Sequence, residues 1–305
     1  MVRIFQDMKN DSKSIFERQN QQGIINAQKA AHYSYLNGKR VILVLAIVSI
    51  VIPIISTVLL LFFNNIILAN ILIVIGVCCF FGGEILRLFI KKYKFYGAGL
   101  QQYFDEFVFG LKNSCRKYIP PKKLTFEQRL SLLKKYEKKD NAPFVNWYSD
   151  YSSLPYEKAV YYCQKENIRW DKKLREKYIV GLIIALLVIA LAFVIHAIFY
   201  NKNTNELIAI LVSIAPVFSY LIHGVIKLFR DLKNQKDILN CIEEIETKIT
   251  STKKIWDEVE ELQIEIFNYR KTNYLIPDWF YKLFRKSIQK NEDDLAQGIS
   301  EREQK

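Results

Sequence analysis

Four stretches of the chain carry no charged residue, and each is close to the length a membrane span requires. Val41 to Phe63 would extend about 34 Å as a helix, enough to cross a hydrocarbon core of roughly 30 Å. Ile66 to Gly83 is a second run, with Glu84 and Arg87 at i and i+3 near the end of a span read as 66–90, placed to pair with each other rather than to ring a pore mouth. Ile179 to Tyr200 and Leu207 to Ile226 are the third and fourth. The pattern predicts an all-α membrane protein of four spans in two hairpins, at about 41–63 and 66–90, then 179–200 and 207–226. Between and beyond them lie an N-terminal arm (1–40), a middle region (91–178), a C-terminal region (227–290) and a polar tail (291–305). The tail's composition predicts disorder.

Outside the spans the periodicity turns helical. Apolar and aromatic residues recur every three or four positions in LFIKKYKFYGAGLQQYFDEFVFGLKN, so the second span is expected to continue as an amphipathic helix until Pro120-Pro121 stops it. Thr125 and Gln128 read as a capping box opening a short basic helix. After the aromatic loop FVNWYSDYSSLP, Pro155 suits a helix start, and the pattern then stays helical into the third span. On that helix Cys163, Asn167, Trp170, Leu174 and Tyr178 share a face, with Gln164, Ile168, Asp171 and Arg175 on the adjoining one. From Leu228 to Tyr269 the apolar spacing predicts one helix of about 40 residues, packed within the protomer or pairing subunits as a stalk.

Charge supplies the orientation. Of 44 Lys and Arg, 7 precede Val41, 20 lie between Lys91 and Tyr178, and 15 follow Ile226. The connectors within the two hairpins hold only Lys202, so both termini and the middle region are expected in the cytosol. About forty mostly polar residues before the first span argue against a cleavable signal peptide. The five Cys are odd in number and lack CxxC spacing, which sets disulfide and zinc readings aside.

Catalysis finds little support. None of His32, His196 and His223 has a partner at metal-ligand or triad spacing, and P-loop, GxGxxG and HExxH motifs are absent. No enzymatic role, cofactor, metal, DNA or RNA is expected. Within the spans, Ser49, Pro53 and Ser56 share a face, as do Ser213, Pro216, Tyr220 and His223. A pore lining would use Ser49, Ser56, Ser213, Tyr220 and His223, and plain helix contact would use the small ones equally. In the middle region Trp147, Tyr148 and Trp170 stand among Lys158, Lys165, Arg169, Lys172, Lys173 and Arg175. Aromatic faces stack on bases while cations meet phosphates, so this mixture suits a nucleotide; it equally suits anionic lipid and interfacial anchoring.

Four separated motifs, IFERQN (15–20), WYSDYSSLP (147–155), CQKENIRWDKKLREKY (163–178) and IPDWFY (276–281), occur in fixed order around the two hairpins. In this the chain resembles the SMODS-associated four-transmembrane putative pore-forming effectors of bacterial CBASS-type antiphage systems. The resemblance implies a multi-pass inner-membrane protein that senses a cyclic oligonucleotide from a partner nucleotidyltransferase and then assembles or opens a pore, as a homo-oligomer in the lipid bilayer. The motif positions Trp147, Tyr148, Gln164, Asn167, Trp170, Asp171 and Arg175, with Arg169 from the cations of the same helix, are the candidate ligand contacts. Gln19, Asn20, Pro277, Asp278 and Trp279 are further motif positions. The rival expectation is a non-conducting membrane-anchored receptor or scaffold that recruits a cytosolic partner.

Overall fold

A computed structural model describes residues 12–62, 66–111, 123–141, 144–199, 204–249 and 255–303. Among them every regular element is helical: α1 (Ser12–Gln19), α2 (Gln22–Ala46), α3 (Ile52–Phe62), α4 (Ile66–Val108), α5 (Phe126–Tyr136), α6 (Tyr156–Phe199), α7 (Thr204–Ile249), α8 (Ile255–Thr272) and α9 (Asp278–Glu303). A five-residue π-helical turn, Ile47–Val51, joins α2 to α3. Its cause lies just downstream: Pro53 has no N–H to give the carbonyl one turn back, and its ring crowds that carbonyl. Widening the turn relieves both. The wide turn also offsets the α-helical register that would align Ser49 with Ser56.

Two long hairpins set the frame. α2 lies along α4, α6 lies along α7, and α3 packs on α7 to join them. Glycines permit the closest approaches between α2 and α4. A Cβ on Gly97 would stand 2.7 Å from the Tyr35 ring, and one on Gly38 would stand 3.3 Å from Tyr93. One half of the molecule buries a continuous core, in which Ile15, Phe104, Phe109, Tyr151, Tyr161, Ile242 and Ile266 are fully enclosed. The other half presents apolar side chains outward, among them Leu43, Ile55, Ile67, Val74, Leu88, Ile184, Leu187, Leu191 and Ile226. So broad an apolar exterior is not tolerable in water and marks a surface covered by something else. By length and composition, one stretch among the described residues, Gln22–Ser56, qualifies on its own to cross a membrane.

The expected helical continuity through the second and third apolar runs holds for α4 and α6, each one unbroken rod. Glu84 and Arg87 pair as their spacing implied, and the capping box at Thr125 and Gln128 forms in full. Three expectations change. First, α4 ends at Val108, well before Pro120-Pro121, which lie outside the described residues. Gly110 adopts φ +58°, its N–H bonding Phe107 while Leu111 bonds Glu106, a Schellman closure that only glycine forms without strain.

Second, the helix read from Leu228 to Tyr269 is folded back on itself. α7 and α8 run antiparallel: Ile245 and Val259 share one core, and Gln235 and Tyr269 donate to the same Asp171 oxygen. Apolar spacing of three and four is the same for a rod and for a hairpin, so periodicity alone could not separate them. α7 ends at Ile249 and α8 begins at Ile255; residues 250–254 between them lie outside the described set. Third, the polar tail is helical as far as Glu303. Glu292 is fully buried and bonds both Arg169 and Lys173, and Ala296 joins the main core.

The glycine contacts give a two-signed test. Gly97→Ala forces the Tyr35 ring aside and is expected to cost about 1–3 kcal/mol, as overpacking does. Gly23→Ala meets nothing within 4 Å and should be at least as stable as the parent. Thermal unfolding of the detergent-solubilised chain reads both; equal midpoints for the two variants would refute the close α2–α4 approach.

Candidate functional site

The first and second motifs turn out to be one joint. Gln19 and Asn20 close α1, and the loop after Phe144 comes to meet them. Asn146 sits in the left-handed region at φ +50°. Its N–H donates to Asn20 Oδ1 at 2.9 Å, while Asn20 Nδ2 returns a bond to Asn146 Oδ1 at 2.8 Å. Next to it, Tyr148 N–H donates to Gln19 Oε1 at 2.9 Å. Two adjacent side-chain amides thus hold a strained loop that places Trp147, Tyr148 and Ser149.

That loop covers a cavity of about 670 Å³, inside the size range of small-molecule sites. α2 contributes Gln28, His32, Tyr35 and Lys39, residues three or four apart on one face. α9 contributes Tyr281, Arg285, Gln289 and Asp293, each one turn from the last. From α6 come Glu166, Asn167, Trp170, Asp171, Leu174 and Arg175, and the α8–α9 linker supplies Asn273 to Ile276. Trp170 and Tyr281 meet with ring centroids 5.3 Å apart.

Two buried acid–base nodes build the walls. At the first, Asp105 accepts from Tyr148 Oη at 2.6 Å, Gln263 Nε2 at 2.8 Å and Arg270 Nη1 at 2.6 Å. Asn167 Nδ2 adds a bond to the same Tyr148 oxygen at 3.1 Å. At the second, Arg175 bonds Asp171 through Nε at 2.7 Å and Nη2 at 3.2 Å, and gives Nη1 to Asp231 at 3.1 Å and to the Tyr274 carbonyl at 2.8 Å. Lys227 and the Tyr274 N–H complete Asp231. Burial opposes the charge on Arg175, and Asp171, Tyr269 and Asp231 outweigh it, so its pKa rises.

Six of the eight residues singled out from sequence line this one cavity: Trp147, Tyr148, Asn167, Trp170, Asp171 and Arg175. Gln164 and Arg169 do not. Gln164 faces α8, donating to the Val259 carbonyl and to Gln263, while Arg169 is spent on Glu292. The cations expected to receive phosphate are committed too, Lys173 to Glu292 and Lys172 to Glu176. Cavity-lining cations come instead from other elements: Lys39, Arg270 and Arg285 join Arg175. Asp105, Asp231, Tyr269 and Arg270 were not legible beforehand, because a single acid or arginine on a helix looks the same whether it faces solvent or a partner 160 residues away.

The proposed pore positions are scattered by comparison. Ser49 lies in the π-helical turn and Ser56 in α3, both half-buried. Ser213 belongs to α7, and its side chain is outside the described set. His223 is exposed on α7. Tyr220 is hydrogen-bonded to Tyr274, which is bonded in turn to Tyr178, so three hydroxyls link α7, the α8–α9 linker and α6.

A scan against protein families matches the SMODS-associating 4TM effector domain over residues 13–301. The chain belongs to that family. All four motifs lie inside the matched range, and they converge: IFERQN and WYSDYSSLP form the joint over the cavity, while the α6 and IPDWFY segments form its walls. Searches of curated proteins and of solved structures returned no match. Membership makes this a membrane-associated effector of the SMODS type, in agreement with the broad apolar exterior.

Glu166, at the cavity's edge, generates a pH prediction. Burial raises its pKa from 4.5 to about 7, against hydrogen bonds from the Ser149 N–H and hydroxyl that favour the charged form. The folded state therefore holds a proton that the unfolded chain releases. The stability this contributes is complete below about pH 4.5 and is lost as pH rises through about 7. Glu166→Gln should flatten the decline of the unfolding midpoint across that window; parallel curves for the variant and the parent would remove Glu166 from the titration.

Proposed function

We propose that this chain is the membrane effector of a bacterial antiphage system, binding a cyclic oligonucleotide in the cavity beside Trp170 and opening or assembling an inner-membrane pore that depolarises the cell. It acts by binding and conduction and catalyses nothing. Four helical segments cross the bilayer, with both termini cytosolic, and several copies of the chain form the conducting unit, since four spans are too few to enclose a wide pore. A partner nucleotidyltransferase makes the ligand.

One observation carries this reading: α6 is a single helix from Tyr156 to Phe199 that lines the cavity at one end and is the third apolar segment at the other. Binding energy released at Trp170 acts on a rod that continues into the bilayer. The tyrosine chain from Tyr178 through Tyr274 to Tyr220 gives the fourth segment a second connection to the same cavity. Ligand shifts such a system only by its preference for one state, and about 5.5 kcal/mol takes a population from 1:99 to 99:1.

The test is ion and dye leakage from liposomes holding the purified chain, with and without a panel of cyclic di- and trinucleotides. Leakage with one nucleotide and not the others is expected. Trp170→Ala should abolish it while leaving membrane insertion intact. Arg175→Ala is the weaker probe, since it would strand Asp171 and Asp231 and damage the fold, as breaking a buried pair costs about 3–5 kcal/mol. Tight liposomes across the whole panel, in a preparation that still binds nucleotide, would overturn the pore and leave a membrane-anchored receptor.

A further inference from the structure

Charge in the cavity balances overall and separates in space. At one end, Lys39 Nζ and Arg285 Cζ lie 5.2 and 5.9 Å from the Tyr281 ring centroid. Asp278, the carboxylate nearby, is shared between Lys39 at 3.5 Å and Lys282 at 3.0 Å, and Arg285 has no ion-pair partner among the described residues. Lys39 and Arg285 line the cavity against the single Asp278 nearby, which Lys282 shares from the solvent side, and leave this end positive. Trp170 packs on the same Tyr281 ring, and its indole N–H is buried with no acceptor. A buried donor left unpaired in a folded chain calls for an acceptor from outside it.

The opposite end is acidic. Glu166 and Asp293 share the Ser149 hydroxyl, at 2.9 and 3.0 Å, and Asp150 lines the cavity beside them. The basic residues of that region, Arg169 and Lys173, are drawn away to Glu292. The Asp150 and Asp293 carboxylates would repel an anion here and receive an amino group.

We infer that the Tyr281 end is a phosphodiester subsite, with Lys39, Arg285 and the Trp170 indole N–H as its donors, and that the Asp293 end is a base subsite selecting an amino-bearing base over uracil. This assignment rests on the cavity being the nucleotide sensor and adds which chemistry is read at each end. Cations paired over one aromatic face suit a singly charged phosphodiester flanked by a sugar edge. Carboxylates accept from an exocyclic amine and repel a carbonyl edge, so the adenine ring system is favoured where uracil offers oxygen.

Titration calorimetry on the full chain in detergent tests it, with cyclic di- and tri-adenylate and their uridylate counterparts as probes. The adenylate ring should bind at least about tenfold more tightly than the matching uridylate ring, the scale of one well-placed hydrogen bond to a charged group. Arg285→Gln, a change at an exposed position that leaves the core untouched, should weaken binding about tenfold and reduce its salt dependence. Asp293→Asn should narrow the adenylate-to-uridylate ratio, and Trp170→Phe should weaken binding while keeping the ring contact. A bound nucleotide whose affinity ignores Arg285→Gln and Asp293→Asn would overturn the subsites and leave the sensing role standing. Failure of every probe to bind would overturn both.

Discussion

Arg175 is the residue on which the architecture turns. It lies on α6, is almost completely buried, and reaches a carboxylate on its own helix, a carboxylate on α7 and a carbonyl of the α8–α9 linker. Around it the charges of Asp171, Asp231, Arg175 and Lys227 cancel, and Gln235 and Tyr269 satisfy remaining oxygens. A buried ion pair contributes little net stability against an apolar substitute, yet losing one partner strands the others. Its value here is geometric. The α6–α7 hairpin, α8 and the α8–α9 linker are fixed to one another at this point, and the cavity opens directly beside it.

From that constraint the layout of the polar half follows. α8 folds back because its polar residues Gln263, Tyr269 and Arg270 have buried acids to meet on α4 and α6. α9 closes the outer wall through Glu292, which holds Arg169 and Lys173, and through Asp293 at Ser149. The N-terminal arm is part of the same body: Ile15 is enclosed, and Arg18 bonds both the Val108 carbonyl and the Tyr156 hydroxyl where α4 ends and α6 begins. A region that composition presented as arm, loop and tail is one interlocked unit.

What could be read from the sequence was whatever a short window determines. The capping box at Thr125, the Glu84–Arg87 pair, the unbroken runs of α4 and α6, and the face carrying Asn167, Trp170 and Leu174 all depend on spacing within a turn or two of helix. Long-range closure was illegible for the same reason. The fold-back between α7 and α8 leaves the three-and-four rhythm untouched. The tail's Glu292 looked solvated because its partners sit more than 100 residues upstream. Gln164 and Arg169 fell into the ligand set because helix geometry gives a face and cannot say what faces it.

On the proposed sensing role, rigidity at Arg175 limits how a signal can travel. A node whose guanidinium and carboxylates are bound on several sides does not slide by small amounts; it holds or it breaks, and breaking it exposes buried charge. Motion driven from the cavity is therefore easier where contacts are soft: aromatic packing of Trp170 on Tyr281, the single Lys39–Asp278 contact at 3.5 Å, and the hydroxyl relay through Tyr274. These lie where the linker meets the Tyr281 end of α9, which can draw inward without disturbing Arg175 or the Glu292 pairs. The linker carries that displacement to Tyr220 on α7 and Tyr178 on α6. On the proposed sensing role, displacement of the Tyr281 end of α9 and the linker against a fixed α6–α7 pivot is the change that spares the buried charges at both Arg175 and Glu292, and it connects the cavity to the two apolar segments that begin on either side of the tyrosine relay.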